Sequence, residues 1–152
     1  MSLETEQGMA RMQQEKKNKL VLVASKGTAD ALYPALILAT TAAASNMPVD
    51  IYFTFGGMKL LTKGMAESIK PSVDLGLSQE ELKGLLSKGG MPSLYDFLKS
   101  AREAGVKIHA CSPTMNLYGM KQEQLVDVCN DVIGASGFLE LARDPDALTM
   151  FI

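Results

Sequence analysis

The chain has little cysteine and little histidine. Its 152 residues include two cysteines, Cys111 and Cys129, and one histidine, His109. Two cysteines are too few for the disulfide framework of small secreted domains. A zinc or iron site built on histidines needs more than one of them, and the carboxylates show no metal-ligand spacing. We therefore predict no metal site and no cofactor.

The sequence also lacks a cluster of positive charge. Its formal net charge is −2, and no group of lysines and arginines alternates with aromatic residues. Such a group is what a nucleic-acid-binding surface requires, so we predict no nucleic-acid partner.

The first residues of the sequence predict no secretory signal. The N-terminus is polar and charged, which predicts a cytoplasmic, reducing setting. Residues 31–49 carry no charge but contain prolines, threonines and many alanines, so they favour a buried helix over a membrane span.

Apolar runs and amphipathic segments alternate along the chain. Helical segments between strands predict βαβ units and hence parallel strands. The predicted strands cover residues 20–24, 49–55, 106–110, 131–134 and 148–152, and the predicted helices cover about 29–45, 79–87, 94–104, 121–129 and 135–142. We predict an α/β fold, a three-layer α/β/α sandwich whose mostly parallel sheet has about five strands. Residues 1–18 would form an N-terminal arm and residues 19–152 a single domain.

Cys111 is the central candidate for chemistry. It follows the third predicted strand, where Ser112-Pro113 prevents the strand from continuing. Open α/β sheets place their functional groups at the carboxyl ends of their strands. A cysteine there is a candidate reactive thiol, because nearby backbone N–H groups or a cation would lower its pKa. The alternative is a buried structural cysteine.

Lys107 and His109 lie on the same face of this strand as Cys111, because side chains alternate along a strand. Either could favour the thiolate, although a spacing of two residues is about 7 Å. A lone strand histidine with apolar neighbours is also typical of a packed core residue. Cys129 shares a face of the predicted helix with Leu125, as a core residue would, and the alternative is a resolving partner for Cys111.

Glycines follow the first two predicted strands. Gly27 lies in a Ser-Lys-Gly-Thr turn that could bind phosphate at a helix N-terminus, but the turn lacks the full nucleotide-binding fingerprints. Gly56 and Gly57 could line the same sheet edge as Cys111. The alternative is an ordinary connection in both places.

Several of these segments together resemble the DsrE/DsrF-like family of small sulfur-relay proteins, over residues 19–152. The resemblance is carried by Leu20-Val21-Leu22-Val23-Ala24-Ser25-Lys26-Gly27, by Ile51-Tyr52-Phe53-Thr54-Phe55-Gly56-Gly57, by Ile108-His109-Ala110-Cys111 through Met115 to Gly119-Met120, and by Gly134-Ala135-Ser136-Gly137-Phe138-Leu139. Cys111 stands where the active cysteine of the family stands. Its following run, Cys111-Ser112-Pro113-Thr114-Met115, is similar to the Cys-x-x-Ser-Met run of the DsrE-like branch, with Thr114 for serine and Pro113 as a departure that would reshape the loop.

The resemblance implies a DsrE-like, flavodoxin-like sandwich that assembles as a homo-oligomer, a trimer or a hexamer. It also implies a sulfurtransferase in which Cys111 accepts sulfane sulfur as a persulfide and passes it to a partner such as a TusA-like carrier. Ser112 and Thr114 then become candidates for tuning the thiol or lining its pocket. The peroxiredoxin label that this branch often carries is not supported, because the sequence shows neither a Thr-x-x-Cys signature nor an arginine partner.

Two other functions fit the same pattern. One is a non-catalytic oligomeric subunit that binds a ligand or a partner at this sheet edge and has only structural cysteines. The other is a nucleotide- or flavin-binding module of flavodoxin-like form. Formation of a persulfide on Cys111 would distinguish the sulfur-relay function from both.

Overall fold

A five-stranded sheet organises the part of the chain that the computed structural model describes, residues 2–14 and 16–152. The strands are β1 (Lys19–Ala24), β2 (Val49–Phe53), β3 (Lys107–Cys111), β4 (Asp131–Ile133) and β5 (Ala147–Phe151). They lie in the order β4-β3-β2-β1-β5, and every neighbouring pair is parallel. The predicted parallel sheet of about five strands is confirmed.

The central strands are covered on both faces. Residues 20–24 and all five residues of β2 are buried. Because β1 is covered on both faces, its sequence is a continuous apolar run rather than an alternating one.

Six α-helices lie within the described ranges. They are α1 (Leu3–Gln14), α2 (Ala29–Ala44), α3 (Gln79–Lys88), α4 (Leu94–Glu103), α5 (Ser112–Tyr118) and α6 (Ala135–Ala142). α2 and α4 pack against each other over one face of the sheet. α6 carries the chain over the other face, from β4 at one edge to β5 at the other, and completes the predicted three-layer sandwich.

The start of the chain is helical. α1 precedes the sheet, and the described side chains of residues 2–9 are exposed. The division into an arm and a domain stays a prediction, and residues 1 and 15 of that predicted arm lie outside the described residues. None of the described helices is long and apolar enough to span a membrane.

The strand order differs from the flavodoxin-like arrangement. Flavodoxin has the order 2-1-3-4-5, whereas here β1 to β4 follow one another across the sheet and the last crossover returns to pair β5 with β1. Right-handed crossovers in opposite directions place their helices on opposite faces, which explains why α6 lies opposite α2.

The helix predicted over residues 121–129 is wrong. Only Gln122–Gln124 form a short 3₁₀ turn, and Leu125 pairs with Thr62 in an antiparallel bridge. The Val126 N–H donates to the Leu61 carbonyl. Adjacent Leu125 and Val126 are both buried, because successive side chains of an extended chain point to opposite sides and here both sides are covered.

The missing helix, α5, begins directly after Cys111. From the sequence, Ser112-Pro113 predicts only the end of a strand. Proline is tolerated in the first helical turn, where its absent N–H would have no partner within the helix, so the same residues end β3 and begin α5. β2 also ends earlier than predicted, at Phe53, since Phe55 has a positive φ of 45° and starts a 3₁₀ turn.

Gly57 permits close contact between the segments that follow β1 and β2. A Cβ atom at Gly57 would lie 2.1 Å from the Ala24 carbonyl oxygen, a main-chain atom that cannot move freely. We expect Gly57→Ala to lower the free energy of unfolding by about 1–3 kcal/mol, as overpacking does. Gly84→Ala is the matched control, because Gly84 is helical and has open space around it. That change should stabilise by up to about 1 kcal/mol. Denaturant unfolding measures both, and equal effects would contradict the prediction.

Candidate functional site

The candidate site lies at the carboxyl ends of β2 and β3. Cys111 is the last residue of β3, and Thr54 directly follows β2. Phe53 pairs with Ala110 in the parallel register, so the next residues along the two strands, Thr54 and Cys111, are neighbours. The predicted position of Cys111 at this edge is what the structure shows.

Two hydroxyl groups donate hydrogen bonds to the Cys111 sulfur. The Tyr52 Oη atom lies 3.0 Å from Sγ, and the Thr54 Oγ1 atom lies 3.3 Å from it. Cys111 is only 3% exposed, so little water competes with these bonds. A sulfur that accepts two hydroxyl hydrogen bonds in a buried site is better suited to carry negative charge than a thiol surrounded by hydrocarbon.

Thr114 connects the sulfur to the turn after β2. Its Oγ1 atom is 3.2 Å from Thr54 Oγ1 and accepts the Phe55 N–H at 3.0 Å. Thr114 is fully buried in the first turn of α5. Its predicted place beside the thiol therefore depends on α5, a helix that the sequence pattern did not predict.

These contacts determine the acidity of the thiol. Burial by itself raises the pKa of Cys111, but the hydroxyls of Thr114, Thr54 and Tyr52 and the Thr114 backbone N–H outweigh it, and the pKa is lowered. The hydrogen bonds stabilise the thiolate more than they stabilise the thiol. The thiolate is the nucleophilic form of cysteine.

Tyr52 is held in position by α6. Its ring stacks on Phe138, with centroids 5.0 Å apart and planes 19° from parallel. Burial raises the pKa of the Tyr52 phenol, and the neighbouring Cys111 raises it further. The phenol therefore keeps its proton and remains a donor to the sulfur.

His109 does not pair with the thiol. Its two ring nitrogens contact two carboxylates, with Nε2 and Asp50 Oδ1 2.5 Å apart and Nδ1 and Asp131 Oδ1 2.5 Å apart. Burial lowers the pKa of His109, but the two carboxylates more than reverse this and raise it. His109 therefore acts as the charged centre of a network that joins β2, β3 and β4.

The same network extends to β1. Lys19 Nζ lies 3.7 Å from Asp50 Oδ2. Burial raises the pKa of Asp50, but the hydrogen bond and charge of His109 and the charges of Lys19 and Lys107 outweigh it, and the pKa is lowered. A buried aspartate is tolerated in an apolar strand only when it has such partners.

The remaining predicted site residues are Lys107, Ser112 and the glycines. Lys107 is exposed at the start of β3, four residues from Cys111, and Ser112 is half-buried at the start of α5. Gly27 and Gly56 pack backbone to backbone, since a Cβ at Gly27 would lie 2.4 Å from the Gly56 carbonyl oxygen. The absence of side chains at both glycines thus allows the turns after β1 and β2 to pack together.

Cys129 lies in the loop before β4. Its sulfur contacts the carbonyl oxygens of Asp131, at 3.2 Å, and Ile108, at 3.7 Å. Burial raises the pKa of Cys129, which is the opposite of the shift at Cys111. Both cysteines are free thiols, and only Cys111 has the environment of a nucleophile.

A cleft of about 640 Å³ lies beside α3 and α4, and none of the residues that contact the Cys111 sulfur lines it. Its walls include apolar side chains such as Tyr33, Ile69, Leu82, Leu86 and Met91. It offers volume but no thiol, so the candidate site remains at Cys111.

Tyr52, Thr54 and Asp50 were not predicted as site residues from the sequence. Asp50 and Tyr52 could have been identified from their positions, because both are polar residues in a strand predicted to be buried. Such residues need partners on neighbouring strands. Thr54 gave no such signal, because it lay inside the strand predicted over 49–55 and follows the strand only because β2 ends at Phe53.

Comparison with known proteins gives relatives over nearly the whole chain. Sulfur carrier protein DsrE2 of Allochromatium vinosum is 31% identical over 153 residues, covering 86% of this chain and 96% of that protein. The uncharacterized protein YrkE of Bacillus subtilis is 28% identical over 160 residues, covering 91% and 99%.

Solved structures share the fold. The ychN protein from E. coli superposes with a TM-score of 0.63 at 14% identity and covers 89% of this chain and 99% of its own. A protein of unknown function from Methanobacterium thermoautotrophicum superposes with a TM-score of 0.56 at 13% identity, covering 88% and 99%.

A family model also matches the sequence. The model of the DsrE/DsrF/DrsH-like family matches residues 16–75 and 72–151, which include both strands of the site and Cys111. The chain belongs to the DsrE/DsrF/DrsH-like family.

Proposed function

We propose that this protein is a sulfur-relay protein, a sulfurtransferase of the cytoplasm in which Cys111 accepts sulfane sulfur as a persulfide and passes it to a partner thiol. The observation that carries the proposal is the set of hydrogen bonds from Tyr52 and Thr54 to the Cys111 sulfur. A relative over nearly the whole chain is named a sulfur carrier protein, which supports the same reaction class. A TusA-like carrier is a fitting acceptor.

The reaction needs no oxidant. The Cys111 thiolate attacks the outer sulfur of a donor persulfide, the S–S bond of the donor breaks, and a new S–S bond forms at Sγ. The donor leaves as a thiolate and takes a proton from solvent. In the second half, the thiolate of the acceptor attacks the outer sulfur on Cys111, and the Cys111 thiolate is restored. Hydrogen bonds that stabilise this thiolate increase the fraction of the nucleophilic form in the first half and make Cys111 a good leaving group in the second.

The test measures the sulfur that can be transferred. After treatment with a persulfide donor and removal of excess donor, cyanide should release thiocyanate, because cyanide removes the outer sulfur of a persulfide. We expect at least about one equivalent per chain, all of it from Cys111, because Cys111 is the cysteine whose thiolate is stabilised. Cys129→Ser should release the same amount. A wild-type protein that releases no thiocyanate would leave the non-catalytic binding subunit as the better account.

Tyr52→Phe tests the role of the hydrogen bonds. It removes one of the two hydroxyl donors to Sγ but keeps the ring that stacks on Phe138. We expect the pKa of Cys111 to rise and its alkylation at pH 7 to slow by about tenfold, as the loss of a hydrogen bond to a charged group predicts. The measurement is the rate of reaction with iodoacetamide against pH. Tyr95→Phe, which changes a tyrosine on α4, should leave the profile unmoved. An unchanged profile for Tyr52→Phe would show that the phenol does not stabilise the thiolate.

A further inference from the structure

β5 is an edge strand with no charged residue. Within the described part of the chain it pairs with β1 on one side only. Phe151 is 75% exposed and Leu148 is 40% exposed. Proteins usually protect a sheet edge with charges, prolines, bulges or short strands, and β5 itself, with the sequence Ala-Leu-Thr-Met-Phe, contains neither a charge nor a proline.

The backbone groups on the free side of β5 can be identified residue by residue. The Ile152 N–H donates to the Val23 carbonyl, and the Ile152 carbonyl accepts from the Ser25 N–H, so the backbone of Ile152 points toward β1. Backbone direction alternates along a strand, as in any ladder. The N–H and C=O groups of Thr149 and Phe151 therefore point away from the sheet.

The opposite edge of the sheet is protected. β4 has only three residues, one of which is Asp131, and the Asp131 carboxylate is engaged by His109. A contact between β5 of one copy and β4 of the next would build an open filament. A contact between two β5 strands closes on itself, and its two sides are identical.

We propose that β5 pairs antiparallel with β5 of a second copy of this chain, about a twofold axis that passes beside Thr149. This inference goes beyond the proposed function and does not depend on it. In this register the N–H and C=O groups of the two Thr149 residues bond to each other, and the Phe151 N–H bonds to the Ala147 carbonyl of the second copy.

The side chains agree with this register. The exposed ring of Phe151 lies opposite Ala147, a large residue against a small one. On the other face, Leu148 lies opposite Met150 of the second copy. Cross-strand apolar pairs of this kind stabilise antiparallel ladders, and no pair within the strand places charges opposite each other.

Thr149→Pro tests the pairing. Proline removes an N–H that points away from β1, so it blocks an added strand but leaves the β1–β5 ladder intact. By sedimentation velocity, we expect this variant to have half the oligomer mass of the wild type, whether the wild type is a dimer or a hexamer made of two trimers. Thr149→Val, which keeps the N–H, should retain the wild-type mass.

Cross-linking provides an independent measurement should the proline variant fail to fold. Cα atoms of a hydrogen-bonded antiparallel pair are about 5.5 Å apart, within the range for a disulfide. Thr149→Cys should therefore give a disulfide-linked dimer on mild oxidation, whereas Leu148→Cys, which is offset from the axis, should not. A monomeric or trimeric wild type, or a Thr149→Cys protein that forms no cross-link, would overturn the proposal.

Discussion

Replacing His109 by alanine is expected to lower the free energy of unfolding by about 3–5 kcal/mol. The change leaves Asp50 without its nearest cation, although Asp50 is only 4% exposed. Removing one partner of a buried ion pair has this cost because the remaining charge is still desolvated. Lys19 contacts the same carboxylate only at 3.7 Å, so it compensates only in part.

Denaturant unfolding at neutral pH measures the effect. Lys99→Ala is the matched control, because it breaks an ion pair with Asp96 whose side chains are about half exposed. Exposed pairs contribute at most about 1 kcal/mol. If His109→Ala lost no more stability than this control, the buried network would not have the role assigned to it.

The network also predicts how stability depends on pH. The folded protein raises the pKa of His109 above its ordinary value of 6.5, so the contribution of the charged imidazole is fully present below pH 6.5. It is lost as pH rises through the raised pKa. Asp50 has a lowered pKa, so its contribution is present above its ordinary value of 3.8 and is lost as pH falls further. We expect stability to decline above pH 6.5 in the wild type and not in a His109 variant.

Much of the fold follows from local pattern. An apolar run predicted β1, helical segments between strands predicted the parallel sheet, and the helices predicted from residues 79 and 94 begin where α3 and α4 begin. In the structure the hydroxyls of Ser78 and Ser93, which precede these helices, each accept the N–H three residues on. These features depend on neighbours in sequence, which a single chain displays directly.

The parts that could not be predicted depend on contacts between distant segments. The Tyr52 bond to Cys111 joins residues 59 positions apart, as does the His109 bond to Asp50. Such pairs are determined by strand register, which the pattern along one strand does not give. Likewise, the backbone at Leu125 is extended because Leu125 pairs with Thr62. The spacing of four residues from Leu125 to Cys129 is nevertheless typical of a helix.

Cys111→Ser is expected to abolish sulfur loading completely. Serine keeps nearly the same shape and can accept the same hydrogen bonds from Tyr52 and Thr54, so the fold should be retained. A hydroxyl cannot form a persulfide, and Cys129, whose pKa is raised by burial, should not replace Cys111. Cys129→Ser is the matched control, since it removes the other free thiol and leaves the site unchanged.

Intact mass spectrometry after treatment with a persulfide donor tests the central claim most directly. The wild type and Cys129→Ser should each gain one or more sulfur atoms, roughly 32 Da each, and should lose them on reduction. Cys111→Ser should gain none. A Cys111→Ser protein that keeps the added mass, or a wild-type protein that never gains it, would contradict the assignment of Cys111 as the sulfur acceptor.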